Sequence, residues 1–68
     1  MHAGQLIETS SGWLLDISEV KWWSNDDGAV YGRAMATSGT SQRWSPEKYL
    51  GTVRGIEMLS VGARFQKR

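Results

Sequence analysis

Cysteine is absent from this sequence, and histidine and proline occur once each. The lack of cysteine excludes disulfide cross-links, thiolate zinc sites and a thiol nucleophile. The one histidine, His2, stands next to the first methionine, where chain ends are seldom held firmly. Histidine-based metal sites and catalytic triads are therefore excluded as well. Long apolar runs are also missing. Stretches such as Trp13-Leu14-Leu15 fall far short of the roughly 20 residues that a membrane-spanning helix needs, and no signal peptide is visible. Together these absences point to a cytoplasmic chain with no cofactor, no metal and no membrane partner.

Aliphatic bulk is scarce too. Leu, Ile, Val and Phe together number thirteen of 68 residues, or about 19%, near the level at which disorder is suspected. The net charge is only +1, so the high charge that accompanies disorder is missing. What the chain has instead is aromatic: four tryptophans, two tyrosines and Phe65. Aromatic rings bury the largest area per residue, so the sequence predicts a single domain over residues 1–68 with a small, aromatic-dependent core. Trp13 and one of Trp22 and Trp23 are its expected fillers. At this length a domain buries only about 60% of the surface that its unfolded chain exposes.

The small net charge conceals an uneven distribution. Residues 1–34 carry two cations against five carboxylates (−3), and residues 35–68 carry six against two (+4). Such a division is either ordinary surface scatter with a solvated tail, or a basic face for an acidic partner or for a second copy of the chain.

Glycine, serine, asparagine and aspartate recur at short intervals, as they do between short strands. Residues 13–27 form the longest glycine-free stretch, yet their apolar positions do not keep helical spacing for more than a turn. The pattern predicts strands at residues 5–8, 13–17 and 29–36. Residues 19–23 either extend the second strand or belong to a loop. Ser24-Asn25-Asp26-Asp27-Gly28 is the strongest turn signal, since Asp-Gly favours hairpin backbone angles. Thr37-Ser38-Gly39-Thr40 predicts a second tight turn, and residues 41–45 a fourth strand. In Ser45-Pro46-Glu47-Lys48 a serine cap followed by proline predicts a single helical turn. Residues 52–59, interrupted at Gly55, read as the last strand, and residues 60–68 as a basic tail with a short structured start. On the third strand Val30, Gly32, Ala34 and Ala36 make a face of small residues, which suggests a bulky layer above it. Five short strands with tight turns fit a small, strongly bent barrel.

Arg43-Trp44-Ser45-Pro46-Glu47-Lys48-Tyr49-Leu50 resembles the aromatic-x-Pro-x-x-Tyr-aliphatic signature of SH3 domains. In that family the signature spans the end of the fourth strand, a 3₁₀ turn and the start of the fifth. Thr37-Ser38-Gly39-Thr40 sits where the family has its distal hairpin turn. Gly12-Trp13-Leu14-Leu15-Asp16-Ile17 is similar to its glycine-led second strand. Trp22-Trp23 looks like the family's tryptophan doublet but comes early, and spacing from Pro46 puts Val30 and Tyr31 at the doublet position. The tyrosine-rich first-strand motif is not found. The resemblance implies an all-β, five-stranded SH3-like barrel with one 3₁₀ turn before the last strand.

Clustered carboxylates are limited to Asp16, Glu19, Asp26 and Asp27, and the last two stand in a turn that favours them for backbone reasons. The reading is accordingly non-catalytic. Trp22, Trp23, Tyr31, Trp44, Pro46 and Tyr49 exceed what one small core holds, and they are the expected surface for a protein partner, as an inhibitor or adaptor, or for self-association. The alternative is nucleic-acid binding, with Arg33, Arg43, Lys48, Arg54, Arg64, Lys67 and Arg68 on phosphates and aromatics stacking bases. A remote alternative is an oligomeric pore enzyme. Gln42-Arg43-Trp44-Ser45-Pro46 is similar to the Gln-x-Tyr-Pro segment of type II dihydrofolate reductases, with one residue inserted and arginine in place of an aliphatic.

Overall fold

The structure, a computed structural model, describes the backbone of residues 1–39 and 42–65 and the side chains of those up to residue 61. The chain runs β1 (Gln5–Thr9), β2 (Trp13–Trp22), β3 (Gly28–Ala36), β4 (Lys48–Thr52), α1 (Val53–Leu59) and β5 (Ser60–Phe65). The five strands form one sheet in the order β4-β3-β2-β1-β5, and every neighbouring pair is antiparallel. The sheet does not close on itself, so β4 and β5 are its two margins.

Each tight connection follows from short polar side chains. Between β1 and β2 the Trp13 N–H donates to Thr9 Oγ1 (3.1 Å), and the Gly12 N–H donates to the Thr9 carbonyl (3.1 Å). Between β2 and β3 the Asp27 N–H donates to Ser24 Oγ (3.1 Å), and Ser24 Oγ donates to Asp26 Oδ1 (3.0 Å). Residues 19–22 extend β2, so the β2–β3 hairpin forms a long arm, with β4 alongside the first half of β3.

That arm bends at one place. The β2–β3 register shifts between Ile17 and Glu19, and the Ser18 hydroxyl donates to the Tyr31 carbonyl (3.1 Å). Gly32 faces the shift, and a Cβ there would run into the carbonyl oxygen of Asp16. Bulges of this kind sharpen twist and curl a sheet over its core. Below the bend, β1 and β5 join the first half of β2; above it, β4 joins the first half of β3.

The concave side holds the core. Ile7, Leu15, Ile17, Val30, Ala34, Val53 and Ile56 form one buried cluster, with Met1, Val20 and Leu50 packed against it. Burying an aliphatic side chain of this size contributes about 1.5–3 kcal/mol. No tryptophan belongs to the cluster, which corrects the expectation of an aromatic core. Leu15 and Ile17 occupy the inward positions of β2 nearest the helix, whereas Trp13 and Trp22 fall at its two ends, opposite Ala36 and Gly28. From the seven-residue helix, Val53 and Ile56 turn into this cluster. The layer over the small face of β3 is thus aliphatic.

The second half of the chain differs from the sequence expectation in register. Residues 42–46 are irregular, and the fourth strand is Lys48–Thr52. The segment 37–47 therefore links β3 to β4 as a long connection, not a tight hairpin; Thr40 and Ser41 lie outside the described residues. Ser45 caps no helical turn because its side chain is engaged elsewhere. Ser45 Oγ accepts from the Ala34 N–H (3.0 Å) and donates to the Pro46 carbonyl (2.9 Å), while the Ser45 N–H donates to the Ala34 carbonyl (2.8 Å). The helical segment is α1, where a final strand was expected, and it is an α-helix, not a 3₁₀ turn. Thr52 is its N-cap, with Oγ1 accepting from the Gly55 N–H (3.0 Å). A Cβ on Gly55 would stand 2.8 Å from that oxygen, so this glycine makes room for the cap and marks no bulge. The structured start of the basic tail runs six residues, as β5, and Gln66, Lys67 and Arg68 lie outside the described residues.

Candidate binding surface

The convex side of the upper sheet carries the aromatic residues. Tyr31 stands mid-strand in β3, opposite Glu19 on one side and Tyr49 on the other. The two tyrosine rings meet edge to face, with centroids 5.7 Å apart and planes at 61°. This is the arrangement that ring quadrupoles favour. Lys21 Nζ lies 5.4 Å from the Tyr31 centroid, a cation–π contact. Tyr31 is half-buried by these neighbours, while Tyr49 remains 54% exposed.

The tryptophans extend the exposed surface. All four lie between 38% and 60% exposed, with Trp44 the least and Trp23 the most. Trp22 closes β2 opposite Gly28, and Trp23 follows at the turn, its N–H donating to the Asp27 carbonyl (3.2 Å). The expectation that one of them is core and the other exposed is corrected: both are exposed, Trp22 at the end of β2 and Trp23 just beyond it. Trp44 and Pro46 flank Ser45 on the exposed segment beside β3.

The arm is tied to the helix by carboxylates. Asp27 Oδ1 accepts from the Gly28 N–H (2.9 Å) and from the Arg54 N–H (3.2 Å). The Arg54 guanidinium lies 3.7 Å from Asp26 Oδ2 in an exposed ion pair. Asp26 and Asp27 thus have structural work at the turn. Arg54 is occupied there, on the far side of the turn from the other cations named for nucleic acid.

Those other cations divide by position. Arg33 is exposed on β3 opposite Asp16, Lys48 is exposed on β4 opposite Gly32, and Arg43 is exposed two residues before Ser45. The Ser45–Ala34 bonds put the Arg43 segment on the β4 side of β3, because β2 occupies its other side. Arg33 and Arg43 therefore do not sit on hairpin-paired strands, but they do border the same margin. None of Arg33, Arg43 and Lys48 has a carboxylate within ion-pair distance among the described residues. The Arg64 backbone pairs with Leu6 across β1 and β5, distant in the sheet order from this margin; Lys67 and Arg68 lie outside the described residues.

One exposed apolar group went unnoticed in the sequence. Met58 is 87% exposed, and Leu59 and Val61 are more than half exposed, at the junction of α1 and β5. The spacing of Val53 and Ile56, three apart with both inward, would have revealed the helix and left Met58 and Leu59 outside. Among the described residues no three of His, Asp and Glu converge to hold a metal ion, and no helix is long and apolar enough to cross a membrane. Comparison of the chain with protein families, with characterised proteins and with solved structures yields no match in any of the three.

Proposed function

We propose that this chain is a non-catalytic binding module, an SH3-like barrel in architecture, that recognises a protein partner through the aromatic surface of Trp23, Tyr31, Tyr49 and Trp44. The antiparallel meander of β1 to β4, with β5 returning beside β1 after one helical segment, supports the architectural reading. The functional reading is carried by one observation. Among the described side chains the core cluster is aliphatic, and the four tryptophans and Tyr49 stand exposed outside it. Trp, Tyr and Arg are the residues that dominate protein hot spots.

The test is a photo-crosslinking amino acid placed at Tyr49 in the native host, followed by affinity measurement on the purified partner. Trp23→Ala and Tyr49→Ala are each expected to weaken that complex about ten-fold or more while circular dichroism stays native. Unchanged affinity in both variants overturns the reading. Nucleic-acid binding is the second reading, favoured by the exposed Arg33, Arg43 and Lys48. It requires affinity that falls steeply with salt, because phosphate contacts release counterions.

A further inference from the structure

We infer that the partner presents an acidic segment in extended conformation, which adds to the sheet as a sixth strand along β4. This rests on the reading that the aromatic surface docks a protein. Three features of the same margin converge on it. β4 has β3 as its sole strand neighbour, so alternate N–H and C=O groups along its outer side have no strand partner among the described residues. Backbone groups of an edge strand are satisfied well by another extended backbone. Tyr49 projects from β4 itself and offers an open ring to the side chains of an added strand.

Charge selects the occupant. Among the described residues, Arg33, Arg43 and Lys48 border this margin with no carboxylate within ion-pair distance, and Glu47 precedes Lys48 in the chain. Of the other carboxylates, Asp16 and Glu19 stand on β2, on the other side of β3, and Asp26 and Asp27 at the β2–β3 turn are engaged with Arg54, past the end of β4. An added strand bearing Asp or Glu meets the cations at the margin and avoids the carboxylates behind it. A nucleic acid fits the same surface less well. It supplies no backbone donors and acceptors at strand spacing, and the Tyr31 ring already has Lys21 above it and Tyr49 at its edge.

The test is an NMR titration of the isotope-labelled full chain with four probes at low and moderate salt. They are a peptide alternating Glu with Val and Tyr, its Lys-for-Glu counterpart, the acidic peptide N-methylated at alternate amides, and a ten-residue oligothymidylate. The acidic peptide is expected to shift the amides of residues 48–52 and to slow hydrogen exchange there. N-methylation and the Lys48→Glu substitution are each expected to weaken it about five-fold or more, and the Lys peptide to bind at least ten-fold more weakly. The inference is overturned if no peptide binds, if both charge types bind alike, if N-methylation has no effect, or if oligothymidylate binds most tightly. Retention of the crosslinked partner by Lys48→Glu at full affinity removes the acidic-strand inference alone. Loss of any Tyr49-dependent protein complex removes the parent reading with it.

Discussion

The two halves of the sheet, divided at Ser18 and Gly32, use their residues in opposite ways. Below the bend, β1 and the first half of β2 turn Ile7, Leu15 and Ile17 inward, and their burial holds the molecule together. Above it, the β2–β3 arm and β4 place Trp22, Trp23 and Tyr49 at the surface, where they add little to stability. The lower half is spent largely on folding, whereas the upper half divides its residues between the core, where Val30 is fully buried, and display. The difference teaches that residue size does not decide burial in so small a domain. Position in the fold does: Leu15, Ile17 and Val30 are sealed in the cluster with Val53 and Ile56, and Leu6 is sealed outside it, while the larger tryptophans are not.

The comparison breaks most completely at the bend itself. Gly32→Ala drives a methyl group into the Asp16 carbonyl, and neither strand can yield without losing ladder bonds. A loss of about 3 kcal/mol or more is expected, enough to unfold a chain of this size, as urea denaturation will show. If Gly32→Ala melts like the parent chain, the two halves are not joined by a close backbone contact at this point.

A paired substitution sharpens the contrast between halves. Ile17 is 1% exposed at the centre of the core, and Ile17→Ala is expected to cost about 2–5 kcal/mol. Trp22→Ala removes a far larger side chain from an exposed position and is expected to cost about 1 kcal/mol or less. Equal losses in thermal melts would mean that Trp22 is sealed in solution as Ile17 is.

The smallest expected effect concerns the helix that brings Val53 and Ile56 to the core. Thr52→Ala removes the hydroxyl that accepts from the Gly55 N–H and is expected to cost about 1 kcal/mol. Thr52→Ser, which keeps the acceptor, should recover most of it. Hydrogen exchange at Gly55 distinguishes the two variants directly.

The first half of the chain was legible from its residues. Alternation from Trp13 to Ile17, the Asp-Gly turn and the small face of β3 indicated the first half of β2, the turn and β3 at nearly its observed bounds, and left residues 19–23 open between strand and loop. The second half was not. Ser45-Pro46 has the local chemistry of a helix start, but its hydroxyl found a better partner in the Ala34 backbone 11 residues away in sequence. Thr52 then took the capping role, and a stretch with β-branched residues became a helix because Val53 and Ile56 close the open side of the curled sheet. Of the surface residues, Trp23, Tyr31 and Tyr49 were legible as surplus to a small core. Their grouping was not, since it depends on which strand lies beside β3.

What the sequence by itself determined is the class of solution: a cysteine-free chain of short antiparallel strands, with more aromatic surface than its core can use. Local rules suffice for that, because alternation and turn chemistry act over a few residues. Only the tertiary structure decided that the core cluster of the described residues is aliphatic, that every tryptophan is exposed, and that Tyr49 meets Tyr31 on neighbouring strands. Those outcomes depend on where one short helix lands on the sheet. Its position is set by contacts between residues far apart in the chain, such as Ile7 and Val53, which no local pattern encodes.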